Sequence, residues 1–207
     1  MIAAIRASSV EDAMFASEAV FTSGIPIVEI TVTTPHATQV ISQLARANPL
    51  ALVGAGTVLD IETARACLDS GASFLTSTGF DLELVQFAIR QNISVIPGAL
   101  TPTEVMMAQK AGANYIKIFP CSHMGGPSYV RTLRGPFPEI RLVASGGVNQ
   151  QTAAEYITAG ADVLGIGREL LPPEAIRDRD LNWINELARR YLHIIKLARL
   201  ERLARRG

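Results

Sequence analysis

Cysteine is nearly absent: the 207 residues include only Cys67 and Cys121. Two cysteines at unrelated positions argue against a disulfide scaffold and suit a reducing cytoplasm. Histidine is as sparse. His36, His123 and His193 stand far apart with no H-x-H or H-x-x-x-H spacing, so the sequence offers no recognisable metal site. No apolar run reaches about 18 residues, so no membrane span is expected. The start, Met1-Ile2-Ala3-Ala4-Ile5-Arg6, lacks a basic segment followed by a long apolar stretch, so no signal peptide is expected. Low-complexity segments and linkers are also missing, and nothing splits the chain. Charged residues are few, at 18%, but a hydrophobic content of 48% supports a sizeable core and argues against disorder. Net charge is zero yet unevenly placed. Residues 1–176 hold ten Lys/Arg and fifteen Asp/Glu, giving −5, and residues 177–207 hold nine and four, giving +5.

A repeat emerges once helix-stop residues are marked. Gly24, Asn48, Gly71, Asn92, Gly112 and Gly160 each precede a short apolar run. Gly and Asn tolerate the left-handed conformation that closes a helix. Successive gaps are 24, 23, 21, 20 and 48 residues, and the last holds two units, with a stop near Gly135–Pro138. Such a βα unit predicts a parallel sheet with crossover helices. The strands fall at Ile2–Arg6, Ile27–Thr31, Ala51–Gly54, Phe74–Ser77, Ser94–Pro97, Tyr115–Phe119, Leu142–Ser145 and Val163–Ile166. Eight strands, each followed by a helical stretch, fit an α/β fold of the (β/α)₈ TIM-barrel type. An open doubly wound sheet is the runner-up, but no G-x-G-x-x-G follows the first strand.

The chemistry centres on Tyr115-Ile116-Lys117-Ile118-Phe119-Pro120. Alternate side chains of a strand share a face, so Tyr115, Lys117 and Phe119 point one way. A charged lysine is costly to bury in so apolar a run. An amine that is neutral part of the time is a nucleophile, the reagent for a Schiff base with a ketone. A lysine that snorkels to water from a strand edge is the plainer alternative. Glu29 is also an ionisable group in an apolar strand, between Val28 and Ile30. The second and sixth strands lie opposite each other in an eight-strand barrel, so Glu29 and Lys117 are expected to face across its interior. That arrangement is either a structural ion pair or a nucleophile with a proton-transfer partner. Gly54-Ala55-Gly56-Thr57 follows the third strand, where glycine permits close approach and Thr57 offers a hydroxyl. Thr101 or Thr103 is expected to cap the helix after the fifth strand. Ser145-Gly146-Gly147 and Gly165-Ile166-Gly167-Arg168 end the last two strands. Glycines there match the phosphate site common in barrel enzymes, and Arg168 adds a guanidinium fork.

Seven stretches in this order and spacing, 2–6, 27–31, 53–58, 97–104, 116–120, 135–138 and 145–148, carry a resemblance. They read Ile-Ala-Ala-Ile-Arg, Ile-Val-Glu-Ile-Thr, Val-Gly-Ala-Gly-Thr-Val, Pro-Gly-Ala-Leu-Thr-Pro-Thr-Glu, Ile-Lys-Ile-Phe-Pro, Gly-Pro-Phe-Pro and Ser-Gly-Gly-Val. The chain resembles the 2-keto-3-deoxy-6-phosphogluconate (KDPG) and 4-hydroxy-2-oxoglutarate aldolase family over residues 2 to about 171. The resemblance implies a class I aldolase: a lyase acting through a lysine Schiff base to pyruvate, with no metal or cofactor, usually a homotrimer. It implies Lys117 as the Schiff-base residue, Glu29 as general acid/base, and Thr57 as a pyruvate contact. Arg6, Pro97, Ser145, Gly146, Gly147, Gly167 and Arg168 complete the implied substrate site. Implied reactions are cleavage of 2-dehydro-3-deoxy-6-phosphogluconate to pyruvate and glyceraldehyde 3-phosphate, or of 4-hydroxy-2-oxoglutarate to pyruvate and glyoxylate. Another 2-keto-3-deoxy sugar acid, such as the 6-phosphogalactonate, is the alternative. Rivals from other classes are a non-aldolase phosphate-binding barrel and a scaffold protein. Three departures bear on substrate. Thr33 stands where many members carry a carboxylate-binding arginine, a charge that Arg6 can replace. Ser77-Thr78-Gly79 has Thr78 where proline is frequent. Arg168 replaces a small serine, and either strengthens phosphate binding or occupies the pocket.

The division expected is a barrel over 1–176 and a basic amphipathic C-terminal helix over 177–207, packed on the barrel or on a neighbouring subunit. Leu181, Ile184, Leu187, Tyr191, Ile194, Ala198 and the Leu200/Leu203 pair recur at helical spacing. Arginines 189, 190, 199, 202, 205 and 206 are expected to decorate the remaining surface. No nucleic-acid or membrane partner is expected, and the location expected is the cytoplasm.

Overall fold

The computed structural model describes residues 1–204, so Arg205 and Arg206 of the basic tail lie outside the described residues. Strands and helices alternate as β1 (Ile2–Ile5), α1 (Val10–Thr22), β2 (Ile27–Thr31), α2 (Ala37–Ala47), β3 (Leu52–Gly56), α3 (Ile61–Asp69), β4 (Phe74–Thr76) and α4 (Leu82–Arg90). Then come β5 (Ser94–Ile96), β6 (Gly98–Ala99), α5 (Pro102–Lys110), β7 (Ile116–Ile118), α6 (Gly126–Arg134), β8 (Leu142–Ser145), α7 (Ala153–Ala159), β9 (Val163–Ile166), α8 (Pro173–Arg177) and α9 (Leu181–Ala204). Every ladder is parallel, in the order β5-β4-β3-β2-β1-β9-β8-β7-β6. Only Pro97 separates β5 from β6. Proline has no N–H for a ladder, so the fifth barrel strand breaks there. Its first half pairs with β4 and its second with β7. The two halves carry the ring round, and the (β/α)₈ barrel expected from the repeat is the observed architecture.

The punctuation behaves as its chemistry dictates except at Asn48 and at Gly135, which ends α6 at φ −56°. Gly24, Gly71, Gly112, Gly160 and Asn92 all take positive φ after their helices. Asn48 does not: at φ −129° it ends α2 while its side-chain amide donates to the Leu44 carbonyl. Thr101 caps α5 in a reciprocal capping box with Glu104, and Pro102 follows as the first helical residue.

Period-two alternation sorts the strand residues between two apolar regions. Outward side chains such as Ile5, Val28, Ile30, Ile116 and Ile118 join the large core between sheet and helices. Inward ones form a separate cluster of Ile2, Phe74, Ile96 and Val143, with Ile27, Tyr115 and Val163 packed on it. This second cluster fills the lumen as an apolar floor. A Cβ on Gly54 would stand 2.3 Å from the Phe74 ring, so glycine at that position is what lets the ring fill the floor.

The tail packs on α7 and α1. Its seam is Ile184, Ala188, Tyr191, Ile195 and Ala198, all buried. The expected stripe is therefore corrected at both ends: Leu181, Leu200 and Leu203 are exposed. Steps of four and three residues carry the seam from Ala198 to Arg202, which leaves Leu200 and Leu203 off it, while Leu181 stands one such step before Ile184 as the first residue of the helix. Arg199 and Arg202 are also more than surface decoration. Arg202 donates to the Ala161 carbonyl at 2.9 Å and pairs with Asp162 at 3.3 Å, and Arg199 donates to the Asp162 backbone carbonyl. Arg134 of α6 meets the same Asp162 carboxylate. The resulting clamp pins the end of α9 to the loop before β9. Among the described residues no helix is long and apolar enough to cross a membrane.

Candidate active site

The site follows from the floor by counting in twos. Two residues beyond Ile2, Ile27, Phe74, Tyr115, Val143 and Val163 stand Ala4, Glu29, Thr76, Lys117, Ser145 and Gly165. Two further on stand Arg6, Thr31, Thr78, Phe119, Gly147 and Gly167. All of these except Thr76, which is buried, line one cavity of about 740 Å³ at the carboxyl ends of the strands. A parallel barrel thus stacks an apolar layer, an ionisable layer and a polar rim from a single alternation.

In the middle layer the Lys117 Nζ lies 3.5 Å from Glu29 Oε1, with both side chains less than a tenth exposed. β2 and β7 are separated by β1, β9 and β8, so the two groups meet across the lumen. The Lys117 amide N–H donates to the Pro97 carbonyl at 2.9 Å, which ties its backbone to the split strand. The ammonium also sits 5.3 Å from the centre of the Phe119 ring, whose π-face favours a cation. Glu29 is held from its other side by β3. A Cβ on Gly56 would stand 2.0 Å from Oε1, so the carboxylate occupies the space that glycine leaves. An amine and a carboxylate in reach of one another, above dry hydrocarbon and below an open mouth, are equipped to add to a carbonyl and to move the protons released.

The rim brings most of the expected residues together. Arg6, Thr57, Ser145, Gly146, Gly147, Gly167 and Arg168 all line the cavity. Arg6 lines the cavity and Thr33 does not; Thr33 is exposed and its hydroxyl lies 3.0 Å from that of Thr31. Thr57 has φ 61°, a left-handed conformation that costs a β-branched residue about 1–3 kcal/mol. Gly146 and Gly147 have φ 87° and 85°, and a Cβ on either would enter Pro120 or Ser122. That turn is locked by the Cys121 and Ser122 amides, which donate to the Ser145 and Gly146 carbonyls. Pro97 is the exception. It lies behind the wall, outside the residues that line the cavity, and acts on the site through its carbonyl.

Several lining residues were missed by the sequence reading: Ser8, Asp12, Glu169, Ile176 and Arg177. Ser8 follows β1 directly, so its position just past a strand end was a usable signal. Ile176 and Arg177 belong to α8, a single short turn that periodicity does not reveal. Asp12 is oriented by Ser8, whose hydroxyl donates at 2.6 Å, and by Arg179 at 3.0 Å. The Ser8 hydrogen bond, helped by the Arg179 guanidinium, holds its carboxyl below the usual range.

Comparison with known proteins places this geometry. A family model described as "Aldolase: KDPG and KHG aldolase" matches residues 1–187. The chain is 35% identical over 177 residues, 85% of this chain and 80% of the other, to 2-dehydro-3-deoxy-phosphogluconate aldolase of Pseudomonas aeruginosa. It is 34% identical over 172 residues, 82% and 83% of the two chains, to 2-dehydro-3-deoxy-6-phosphogalactonate aldolase of Escherichia coli K12. Its fold superposes with a TM-score of 0.85 on KDPG aldolase of Legionella pneumophila, at 32% identity over 90% of this chain and 91% of that one. That crystal structure holds pyruvate captured as a covalent carbinolamine intermediate. With a buried lysine and glutamate facing across the lumen of a (β/α)₈ barrel, this chain belongs to the KDPG and KHG aldolase family.

Proposed function

We propose that the protein is a Schiff-base aldolase that releases pyruvate from 2-dehydro-3-deoxy-6-phosphogluconate, from 4-hydroxy-2-oxoglutarate, or from both. The observation that carries this reading is the Lys117 amine 3.5 Å from the Glu29 carboxylate in the catalytic cavity. The neutral amine adds to the C2 ketone to give a carbinolamine, which loses water to an iminium. The C4 hydroxyl gives up its proton, the C3–C4 bond breaks, and its electron pair moves into the iminium. An aldehyde and an enamine result. The enamine takes a proton at C3, and water hydrolyses the iminium to pyruvate and free Lys117. Glu29 is the group placed to give and take these protons. Arg6 meets the substrate carboxylate. The turns at Gly146, Gly147 and Gly167, with Arg168, meet a distal phosphate. Likeness to the 6-phosphogalactonate aldolase keeps that epimer as a second substrate to assay.

The test is borohydride reduction in the presence of pyruvate, followed by peptide mass spectrometry. A reduced pyruvyl adduct on Lys117 is expected. Its absence, in a preparation that turns neither substrate over, ends the aldolase reading.

Two substitutions probe the walls. Gly56→Ala forces Glu29 off its position, and a displacement of about an ångström should lower kcat roughly 10²-fold. An unchanged kcat would show that Glu29 does not need its present pose. Arg168→Ser should raise KM for the phosphorylated substrate roughly tenfold and leave 4-hydroxy-2-oxoglutarate nearly unchanged, since solvent at the exposed Arg168 keeps a charge-assisted pair at the low end of its range. An improved KM for the phosphorylated substrate would mean that Arg168 blocks the pocket instead. Steady-state assays of pyruvate release on both substrates decide.

The resemblance also supports a homotrimer, and the two scattered cysteines suit a reducing cytoplasm. Leu82 and Ile89 of α4 and Met106 and Met107 of α5 are exposed, an apolar face for a neighbouring subunit to cover. Light scattering coupled to size exclusion measures that state directly.

A further inference from the structure

One wall of the catalytic cavity has its hydrogen bonding committed before any substrate arrives. Ser8, just past β1, and Asp12, in the first turn of α1, line the cavity together. The bond between them runs one way, from the Ser8 hydroxyl to Asp12 Oδ2. Asp12 cannot reverse it. That hydrogen bond and the Arg179 guanidinium keep its carboxyl ionised, so it has no proton to give. Arg179 is itself fixed. It stacks over the Phe15 ring, 4.9 Å from the centre, and donates to the Ile176 carbonyl at 3.3 Å. The Asp12 amide donates to Ser9 Oγ at 3.1 Å, which holds the backbone that carries the carboxylate.

A serine hydroxyl has one proton and two lone pairs. With the proton committed to Asp12, Ser8 Oγ has only lone pairs left for a ligand. Arg179 balances the Asp12 charge, so this wall is an acceptor patch and not a bare anion. The glycine turns and Arg168 at the far end of the cavity are the opposite, a set of donors. An ionised phosphate or carboxylate brings no proton to an acceptor, whereas a hydroxyl group does.

Position selects which hydroxyl. Ser8 lies two residues beyond Arg6, and β1 pairs directly with β9, with Ala3 opposite Ile166. Ser8 is therefore on the strand next to the Gly167 turn. A six-carbon chain held at C2 by Lys117, with its far end at Gly167, brings its last carbons to this wall. The C4 hydroxyl is already in use, because it gives up its proton in the cleavage. The next hydroxyl is on C5. A 2-keto-3-deoxy hexonic acid carries it, whereas C5 of 4-hydroxy-2-oxoglutarate is a carboxylate. We infer, on the aldolase reading above, that Ser8 is a specificity-determining residue whose Oγ accepts a hydrogen bond from the C5 hydroxyl of the substrate. A site built to pair with a hydroxyl discriminates against the compound that lacks it, so Ser8 favours the six-carbon sugar acid over the five-carbon dicarboxylate.

The test removes the hydroxyl from each side in turn. Pyruvate release is measured from 2-dehydro-3-deoxy-6-phosphogluconate and from its 5-deoxy analogue, in wild-type protein and in Ser8→Ala. The two compounds share the phosphate, the ketone and the scissile bond, so only the C5 hydroxyl separates them. Ser8 is exposed, and its loss should not disturb the barrel. Wild-type protein should favour the natural compound in kcat/KM, and Ser8→Ala should reduce that preference about three- to tenfold, the effect of one neutral hydrogen bond. The preference over 4-hydroxy-2-oxoglutarate should narrow by the same factor. Ser8→Thr keeps the hydroxyl and should restore both preferences. A merely structural role for Ser8 would lower all substrates alike. Equal effects on the natural compound and its 5-deoxy analogue, or an unchanged preference in Ser8→Ala, overturn the inference while pyruvate release continues. No pyruvate from any substrate in wild-type protein is a different result: it ends the aldolase reading, and this inference with it, and the borohydride trap identifies it.

Discussion

Lys117→Met should abolish the pyruvate adduct and lower turnover by roughly 10³-fold or more, the scale seen when an enzyme loses its nucleophile. Methionine matches the length and apolar character of the lysine stem, so packing over Phe119 and the lumen floor is retained. The barrel should fold, because the Lys117 side chain ends in an open cavity where water can solvate the remaining Glu29 carboxylate. Circular dichroism and a thermal melt check that point, and borohydride trapping with mass spectrometry checks the chemistry. Near wild-type turnover in the variant would refute the assignment of the nucleophile. The other lysines give the assignment its force. Lys110 ends α5 and Lys196 lies on α9, both exposed on outer helices, so neither can reach the lumen.

Glu29→Gln should have the second-largest effect. Glutamine keeps the size and planar end of the side chain but cannot shuttle a proton. Loss of a positioned acid/base typically costs about 10²–10⁴-fold, and kcat should fall within that range. The informative readout is exchange of the pyruvate methyl protons with deuterated solvent, followed by proton NMR. Exchange requires an enamine to form and be reprotonated, so it isolates the Glu29 step from bond cleavage. In Glu29→Gln the exchange should slow in parallel with kcat, while pyruvate remains trappable on Lys117. Wild-type exchange in the variant would place the proton transfer on another group. Loss of both trapping and exchange would point to misfolding, which the melt detects.

Much of this was legible in the chain itself. Spacing of helix stops was enough for the barrel, because a βα unit with short loops has few ways to pack a parallel sheet. Alternation along Tyr115–Phe119 and Ile27–Thr31 put Lys117 and Glu29 on inward faces, and opposition of the second and sixth barrel strands brought them together. The break at Pro97 was less legible. A prolyl residue removes one donor, but whether that ends a strand or merely divides it depends on which neighbour each half finds. In the tail the sequence marked a helix with an apolar stripe and not which residues make the seam. Ile184, Ala188, Tyr191, Ile195 and Ala198 form the seam only because α7 and α1 offer a groove at that angle, and Leu200 and Leu203 are left outside it.

What the amino-acid sequence determined by itself is everything set by local periodicity and by residue chemistry: the repeat, the inward lysine and glutamate, the glycine turns after the last strands, and a threonine cap on the helix after the fifth strand. What only the tertiary structure decided is everything that depends on distance between segments far apart in the chain. The 3.5 Å approach of Lys117 to Glu29 needs the barrel to close, and the Gly56 gap matters only because Glu29 arrives from another strand. The three-residue clamp on Asp162 draws on α6 and α9. Periodicity reports which way a side chain points from its own element, whereas the partner it meets is set by packing between elements, which no short stretch of sequence encodes.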